Sequence, residues 1–196
     1  MTEKNINNIR VQEFDATPIF RSRWSPRSMS GEPLSKDELM VLFEAARWAP
    51  SSYNSQPWRF IYVLRNSTLW NSFFDLLVDF NKSWAKNAGA LVLVISRKNY
   101  EHNEEFSRTH SFDTGAAWQN LALEASFKGL VCHAMGGFDH DEAKIIANVA
   151  DGFNVECMVA LGKPGKVEDL PESLRGGEVP SSRKRVSEFA FEGKLS

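Results

Sequence analysis

The sequence predicts an α/β protein, a sheet with helical layers to cover it. Three observations carry the prediction. The apolar period switches repeatedly between helical and strand spacing along the chain. An unbroken apolar run at residues 90–95 reads as a strand buried on both faces. Residues 112–128 form a long helix rich in small apolar side chains, with Ala116, Ala117, Leu121, Ala122 and Ala125.

Each element follows from its own residues. The first twenty residues pass from polar to apolar and read as an arm that packs onto something else. Ser35 and Glu38 form a capping box ahead of Leu39, Leu42, Phe43 and Ala46 at helical spacing, and Pro50 stops this helix. Residues 58–64, aromatic and β-branched, predict a strand. Residues 67–80 predict one helix, with Leu69, Phe73, Leu76, Leu77 and Phe80 on one face. Strand 89–96 follows, then a polar connection over 97–110 whose structure the sequence leaves open. Gly129 is placed to end the alanine-rich helix, whose small face suits close packing in the core or against a second subunit. Residues 130–135 make a strand ending at Gly136-Gly137. Asp139 and Glu142 cap a short helix carrying Ile145, Ile146 and Val149. Residues 155–161 are the last strand. The Gly/Pro-rich tail from Gly162 carries Phe189 and Phe191, so it should pack against something.

Bulk properties exclude several classes. The 196 residues fit a single domain over 1–196, long enough to bury a core without disulfides or metal. A net charge of −2 argues against a surface built for nucleic acid or anionic lipid. The longest apolar run is strand-sized, so no membrane span is expected, and the polar start of the chain lacks the apolar core of a secretion signal. Cys132 and Cys157 both lie in apolar runs, which suits a reducing cytoplasm better than a disulfide framework. Adjacent on one strand, Cys132 and His133 point to opposite faces and cannot share a metal ion, while His102, His110 and His140 fall in polar stretches read as exposed. No dinucleotide glycine motif, Walker loop or nucleophile elbow is present.

Three stretches carry possible chemistry. In Arg23-Trp24-Ser25-Pro26-Arg27 the odd residues share one face of an extended segment, and two guanidinium groups flanking a hydroxyl suit a phosphate. Taken alone, the segment reads more readily as a solvated basic loop. Residues 50–57 place Ser51, Ser52, Asn54, Ser55 and Gln56 between two prolines, a density of hydrogen-bonding groups that fits the edge of a heterocycle as well as a plain turn. Gly136-Gly137 lets a backbone approach a flat ligand closely, and it equally fits a tight strand-to-helix turn.

Together these stretches resemble the nitroreductase family of flavin mononucleotide (FMN) enzymes. The carriers are residues 23–27, residues 44–58 from Glu44 to Trp58, residues 113–121 from Asp113 to Leu121, and Met135-Gly136-Gly137-Phe138-Asp139. The resemblance implies a three-layer α/β/α sandwich around a mainly antiparallel sheet, in a homodimer whose subunits exchange terminal segments. It also implies that Arg23, Ser25 and Arg27 reach the phosphate, ribityl chain and pyrimidine edge of FMN. Pro50, Ser51, Ser52 and Asn54 would come from the partner subunit, and Asn81 would meet the pyrimidine ring. Gly136 and Gly137 would offer backbone amides to the flavin, and Arg183, with Arg185, would close over the phosphate. No catalytic side chain is implied, since the flavin carries hydride from NAD(P)H to an organic acceptor. Two departures stand out: Trp84 stands where some members keep a lysine, and Gly136 where some keep a glutamate. The alternatives are a flavin storage module and a specialised relative that fragments flavin or dehalogenates reductively. A nucleic-acid role through Arg183-Lys184-Arg185 is the weakest reading.

Overall fold

A computed structural model of the chain describes residues 9–195. Helix α1 (Pro18–Ser22) precedes an extended strap. The capping box then opens α2 (Lys36–Arg47): the Ser35 amide donates to the Glu38 carboxylate at 2.7 Å, and the Glu38 amide donates to Ser35 Oγ at 3.2 Å. Strands β1 (Trp58–Leu64), β2 (Ala90–Arg97), β3 (Val131–Met135) and β4 (Phe153–Gly162) form one sheet in the order β1-β2-β4-β3, every neighbouring pair antiparallel.

Strand period sorts the core into two layers. Along β2, Ala90, Val92 and Val94 join one buried cluster, while Leu91, Leu93 and Ile95 join the other. The first cluster is covered by α2, through Leu39, Leu42 and Ala46, and by α5 (His110–Phe127), through Ala117, Leu121, Ala122 and Ala125. The second is covered by α3 (Trp70–Phe74), α4 (Asp79–Ala85) and α6 (His140–Ile146), through Phe73, Trp84, Ala85 and Ala143. The architecture is therefore a three-layer α/β/α sandwich on an antiparallel sheet. Burying both faces is why β2 reads as an unbroken apolar run.

The small face of α5 is spent inside the protomer, which settles the choice between core and second subunit for those alanines. What α5 leaves exposed is Ser111, Phe112, Gly115, Gln119 and Phe127. Its end is a Schellman turn: Gly129 has φ of 69°, the Leu130 amide donates to Ala125 O at 2.8 Å, and the Gly129 amide donates to Ser126 O at 3.1 Å.

Two local expectations need correction. The single helix expected over residues 67–80 is two short helices, α3 and α4. Between them Leu77 bridges Phe138, the Val78 amide donates to Gly137 O at 3.1 Å, and the Asp139 amide donates to Leu76 O at 2.9 Å. Those long-range bonds, with Leu76 and Leu77 buried, override local helix propensity. His110, read as exposed, is largely buried instead: Ser96 Oγ lies 2.7 Å from its Nδ1 and also donates to Glu156, at a bulge where β2 slips against β4.

The tail continues through the short helix α7 (Glu172–Arg175) and buries Leu170, Glu178 and Pro180. Phe189 and Phe191 stay 61% and 40% exposed, so the packing expected of them is not made within the protomer. Among the described residues, no helix is long and apolar enough to cross a membrane.

Candidate functional site

The extended strap between α1 and α2 runs beside β3, where His133 Nδ1 and Pro26 O lie 3.0 Å apart. Its side chains alternate as the sequence predicts. Trp24, Pro26 and Ser28 line a cleft of about 440 Å³ against Ala122, Ser126 and Cys132. On the other face, Arg23 Nη1 donates to Ser25 Oγ at 3.3 Å, and the Arg27 guanidinium lies 6.0 Å from the Phe80 ring centre.

Arg23 does not stand alone. Arg10, only 7% exposed, donates through Nη1 to Arg21 O and Arg23 O, both at 2.7 Å, and through Nε to Ser181 O at 2.9 Å. Arg183, held by Ser181 Oγ at 2.8 Å, adds a third charge from the tail. Burial, then the neighbouring Arg183 and Arg23 charges, pull Arg10 down to about 10, and burial with Arg183 lowers Arg23 as well. Among the described residues, none of Arg10, Arg23, Arg27 and Arg183 has a carboxylate within ion-pair distance. A cationic cluster left without a counter-charge among the described residues is suited to receive an anion. Arg185 is exposed, and its backbone amide donates to the Glu188 carboxylate at 2.7 Å, so the fold ties it to its own turn.

One residue after Phe80, Asn81 Nδ2 donates to Gly137 O at 2.9 Å from a position 8% exposed. The two glycines differ. A Cβ on Gly137 would stand 2.8 Å from Asn81 Nδ2, whereas a Cβ on Gly136 would meet nothing within 4 Å. Gly136 therefore presents bare backbone to open space, as a flat ligand requires. Trp84 does not border that space. It is 1% exposed, its ring centre 4.7 Å from that of His133, so the substitution at this position faces the core.

Burial holds His133 below the ordinary histidine value, with the hydrogen bond to Pro26 O opposing and the Arg27 charge assisting. The unfolded chain takes up this proton below pH about 6.5 and the folded chain resists it, so stability falls as pH drops through that range. His133→Gln should remove part of that loss, at most about 1.4 kcal/mol per pH unit. Urea midpoints at pH 7 and pH 5 test it; equal pH slopes in both proteins would show that His133 does not titrate on unfolding.

The segment from Pro50 to Gln56 lies at the other side of the sheet, leading into β1. Tyr53, Asn54 and Gln56 take positive φ of 52°, 53° and 47°, an unusual density of left-handed residues in a stretch without glycine. Two clamps hold it: the Gln56 amide donates to Ser51 Oγ at 3.0 Å, and the Ser52 amide donates to Asp113 Oδ2 at 3.0 Å. Pro50 and Asn54 are exposed. Edge strands β1 and β3 are three spacings apart, about 14 Å, so one protomer brings together Arg23, Ser25, Arg27, Asn81, Gly136, Gly137 and Arg183, and leaves Pro50, Ser51, Ser52 and Asn54 elsewhere.

The family model described as the nitroreductase family matches residues 20–82 and 70–163. The chain belongs to the nitroreductase family. An oxygen-insensitive NADPH nitroreductase of Helicobacter pylori is 38% identical over 184 residues, covering 74% of this chain and 84% of its own. A crystal structure of an oxidoreductase containing FMN matches with a TM-score of 0.92 at 43% identity, covering 100% of this chain and 99% of that one. A nitroreductase family protein from Streptococcus pneumoniae has a TM-score of 0.70 at 17% identity, covering 89% of this chain and 98% of that one, a likeness of fold.

Within this nitroreductase fold, three residues matter that sequence reasoning gave no role. Arg10 lies in a polar arm, and Glu178 in an aperiodic tail; neither carries a local signal of burial. Asp113 opens the motif at residues 113–121, yet its task of clamping Ser52 depends on a contact 61 residues away. The cysteines take no part: burial raises both thiols, Cys157 to about 12, so neither is a thiolate at neutral pH. Cys132 and His133 face opposite core layers, and among the described residues no group of three potential ligands gathers.

Proposed function

We propose that this chain is an FMN-dependent oxidoreductase taking hydride from NAD(P)H and passing it to an organic acceptor of the nitroaromatic or quinone type. The observation that carries the reading is the cluster of Arg10, Arg23 and Arg183, which has no carboxylate within ion-pair distance among the described residues. One phosphate clamp with no glycine-rich dinucleotide loop favours FMN over FAD. Arg23, Ser25 and Arg183, with Arg185 at the margin, would hold the phosphate and ribityl chain. Arg27 would hold the pyrimidine edge, and Asn81 would act through Gly137. Gly136 and Gly137 would offer backbone amides.

The distance between the strap and Pro50, Ser51, Ser52 and Asn54 is what a second subunit would close. Exposed Phe112, Phe127, Phe189 and Phe191 supply apolar surface for a homodimer with exchanged terminal segments. When bound, FMN supplies the two-electron chemistry. The chain contributes charge, orientation and a single open face that donor and acceptor use in turn. Free thiols, one buried and one partly buried, suit a cytoplasmic protein with one flavin-binding domain over 1–196.

The protein should purify yellow, its heat-released flavin running with FMN. Initial rates against NAD(P)H at several acceptor concentrations should give parallel double-reciprocal lines. Colourless protein that cannot be reconstituted would sink the cofactor, and bound FMN without NAD(P)H oxidation would indicate storage. Intersecting lines would rule out one shared face, and a flavin-loaded monomer by light scattering would rule out the dimer.

A further inference from the structure

Glu178 is 3% exposed and belongs to no ion pair among the described residues. Its Oε1 accepts from the Arg27 amide at 2.7 Å, the Ser28 amide at 2.7 Å and Ser28 Oγ at 2.8 Å. A buried carboxylate needs donors that converge on it, and all three come from Arg27 and Ser28 in one short piece of strap, while Oε2 has no hydrogen-bond partner among the described residues. Three residues further along the tail, Ser181 O accepts from Arg10, which also gathers the carbonyls of Arg21 and Arg23. The tail thus grips the strap twice, at the Arg23 carbonyl through Arg10 and at the Arg27 and Ser28 amides through Glu178. Beyond the second grip, Ser28 O accepts from the Gly165 amide at 3.1 Å, so the backbone carrying Arg27 is pinned on both sides.

The Arg27 side chain, by contrast, is loosely partnered. Its guanidinium lies over Phe80 and its buried Nε has no hydrogen-bond partner among the described residues. Its direction is therefore set by its backbone rather than by its own contacts. We infer that Glu178 is a positioning residue, which fixes the backbone of Arg27 and so aims that arginine at the cofactor; this rests on the FMN reading above. It is the tail's buried anion, as Arg183 is the tail's exposed cation, and the two serve the same ligand from opposite sides of the strap.

The test compares Glu178→Ala with Glu178→Gln, which keeps an acceptor oxygen, each with and without Arg27→Ala. In flavin-free protein, hydrogen exchange at the Arg27 and Ser28 amides should quicken at least about tenfold in Glu178→Ala, with β2 amides unchanged and Glu178→Gln close to the parent. The FMN dissociation constant should rise about tenfold in Glu178→Ala and less than about threefold in Glu178→Gln. In the Arg27→Ala background the same change should add less than about twofold, because the effect passes through that arginine. Additive losses would assign Glu178 to general fold stability and overturn the inference, as would unchanged FMN affinity or unchanged exchange. Parent protein that takes up no FMN would overturn the cofactor reading, leaving faster exchange to mark Glu178 as a fold contact only. Should Glu178→Ala not fold, Glu178→Asp, shorter by one methylene, and Ser28→Ala, which removes one donor, carry the same comparison.

Discussion

Arg23→Ala protein should bind FMN about 10- to 100-fold more weakly than the parent, while its flavin-free form is no less stable. Each hydrogen bond to a charged group is worth about 1.5–3 kcal/mol, and tenfold in affinity is about 1.4 kcal/mol. The two halves have opposite signs for one reason. Without an anion, Arg23 is half-buried, its charge is resisted by burial and by Arg183, and its charge in turn helps to lower Arg10. Removing it relieves that repulsion at the loss of one 3.3 Å bond to Ser25. Function and stability trade off where like charges gather to await a ligand. Isothermal titration with FMN, set beside urea unfolding of the flavin-free forms, measures both. A destabilised flavin-free variant with unchanged FMN affinity would make Arg23 a structural residue and remove the phosphate clamp.

The adjacent glycines separate fold from ligand even more sharply. Gly137→Ala should destabilise the flavin-free protein by about 1–3 kcal/mol, since its Cβ would stand 2.8 Å from Asn81 Nδ2 and 3.0 Å from Val78 Cγ2. Asn81 cannot yield freely, because it is buried and its amide holds Gly137 O. Gly136→Ala meets no atom within 4 Å, so its stability should stay within about 0.5 kcal/mol of the parent or rise slightly. Only a bound ligand would register that methyl group, and FMN affinity should fall about tenfold or more. Gly136→Ala protein that binds FMN as the parent does would show that the cofactor keeps clear of this backbone, and the site would have to move.

Much of this was legible in the residues because the signals are local. The Ser35 and Glu38 cap, the Gly129 stop and the alternation along residues 90–95 each depend on neighbours within a turn or a strand. The strap's alternation was equally readable, and its even and odd side chains do point apart. What failed was decided by partners far along the chain. Residues 67–80 carry a helical pattern, yet pairing with residues 137–139 breaks it in the middle. His110 sits in a polar stretch and is drawn inward by Ser96 and Glu156.

The sequence by itself therefore determined the alternation of helices and strands, the doubly buried central strand, the resemblance to a flavin-binding family and the face of the strap that carries its arginines. Period, capping and motif spacing are local properties, and a chain displays them before it folds. Tertiary structure alone decided that Arg10 and Glu178 grip the strap from 13 to 151 residues away, that Trp84 belongs to the core and that the alanines of α5 are spent within the chain's own core. It also set the arginine strap and the Pro50–Asn54 segment at opposite edges of one sheet, which is why a second subunit enters the proposal at all. Buried charges and long-range hydrogen bonds leave no periodic trace, because their stabilisation depends on which distant groups the fold brings within 3 Å and shields from water.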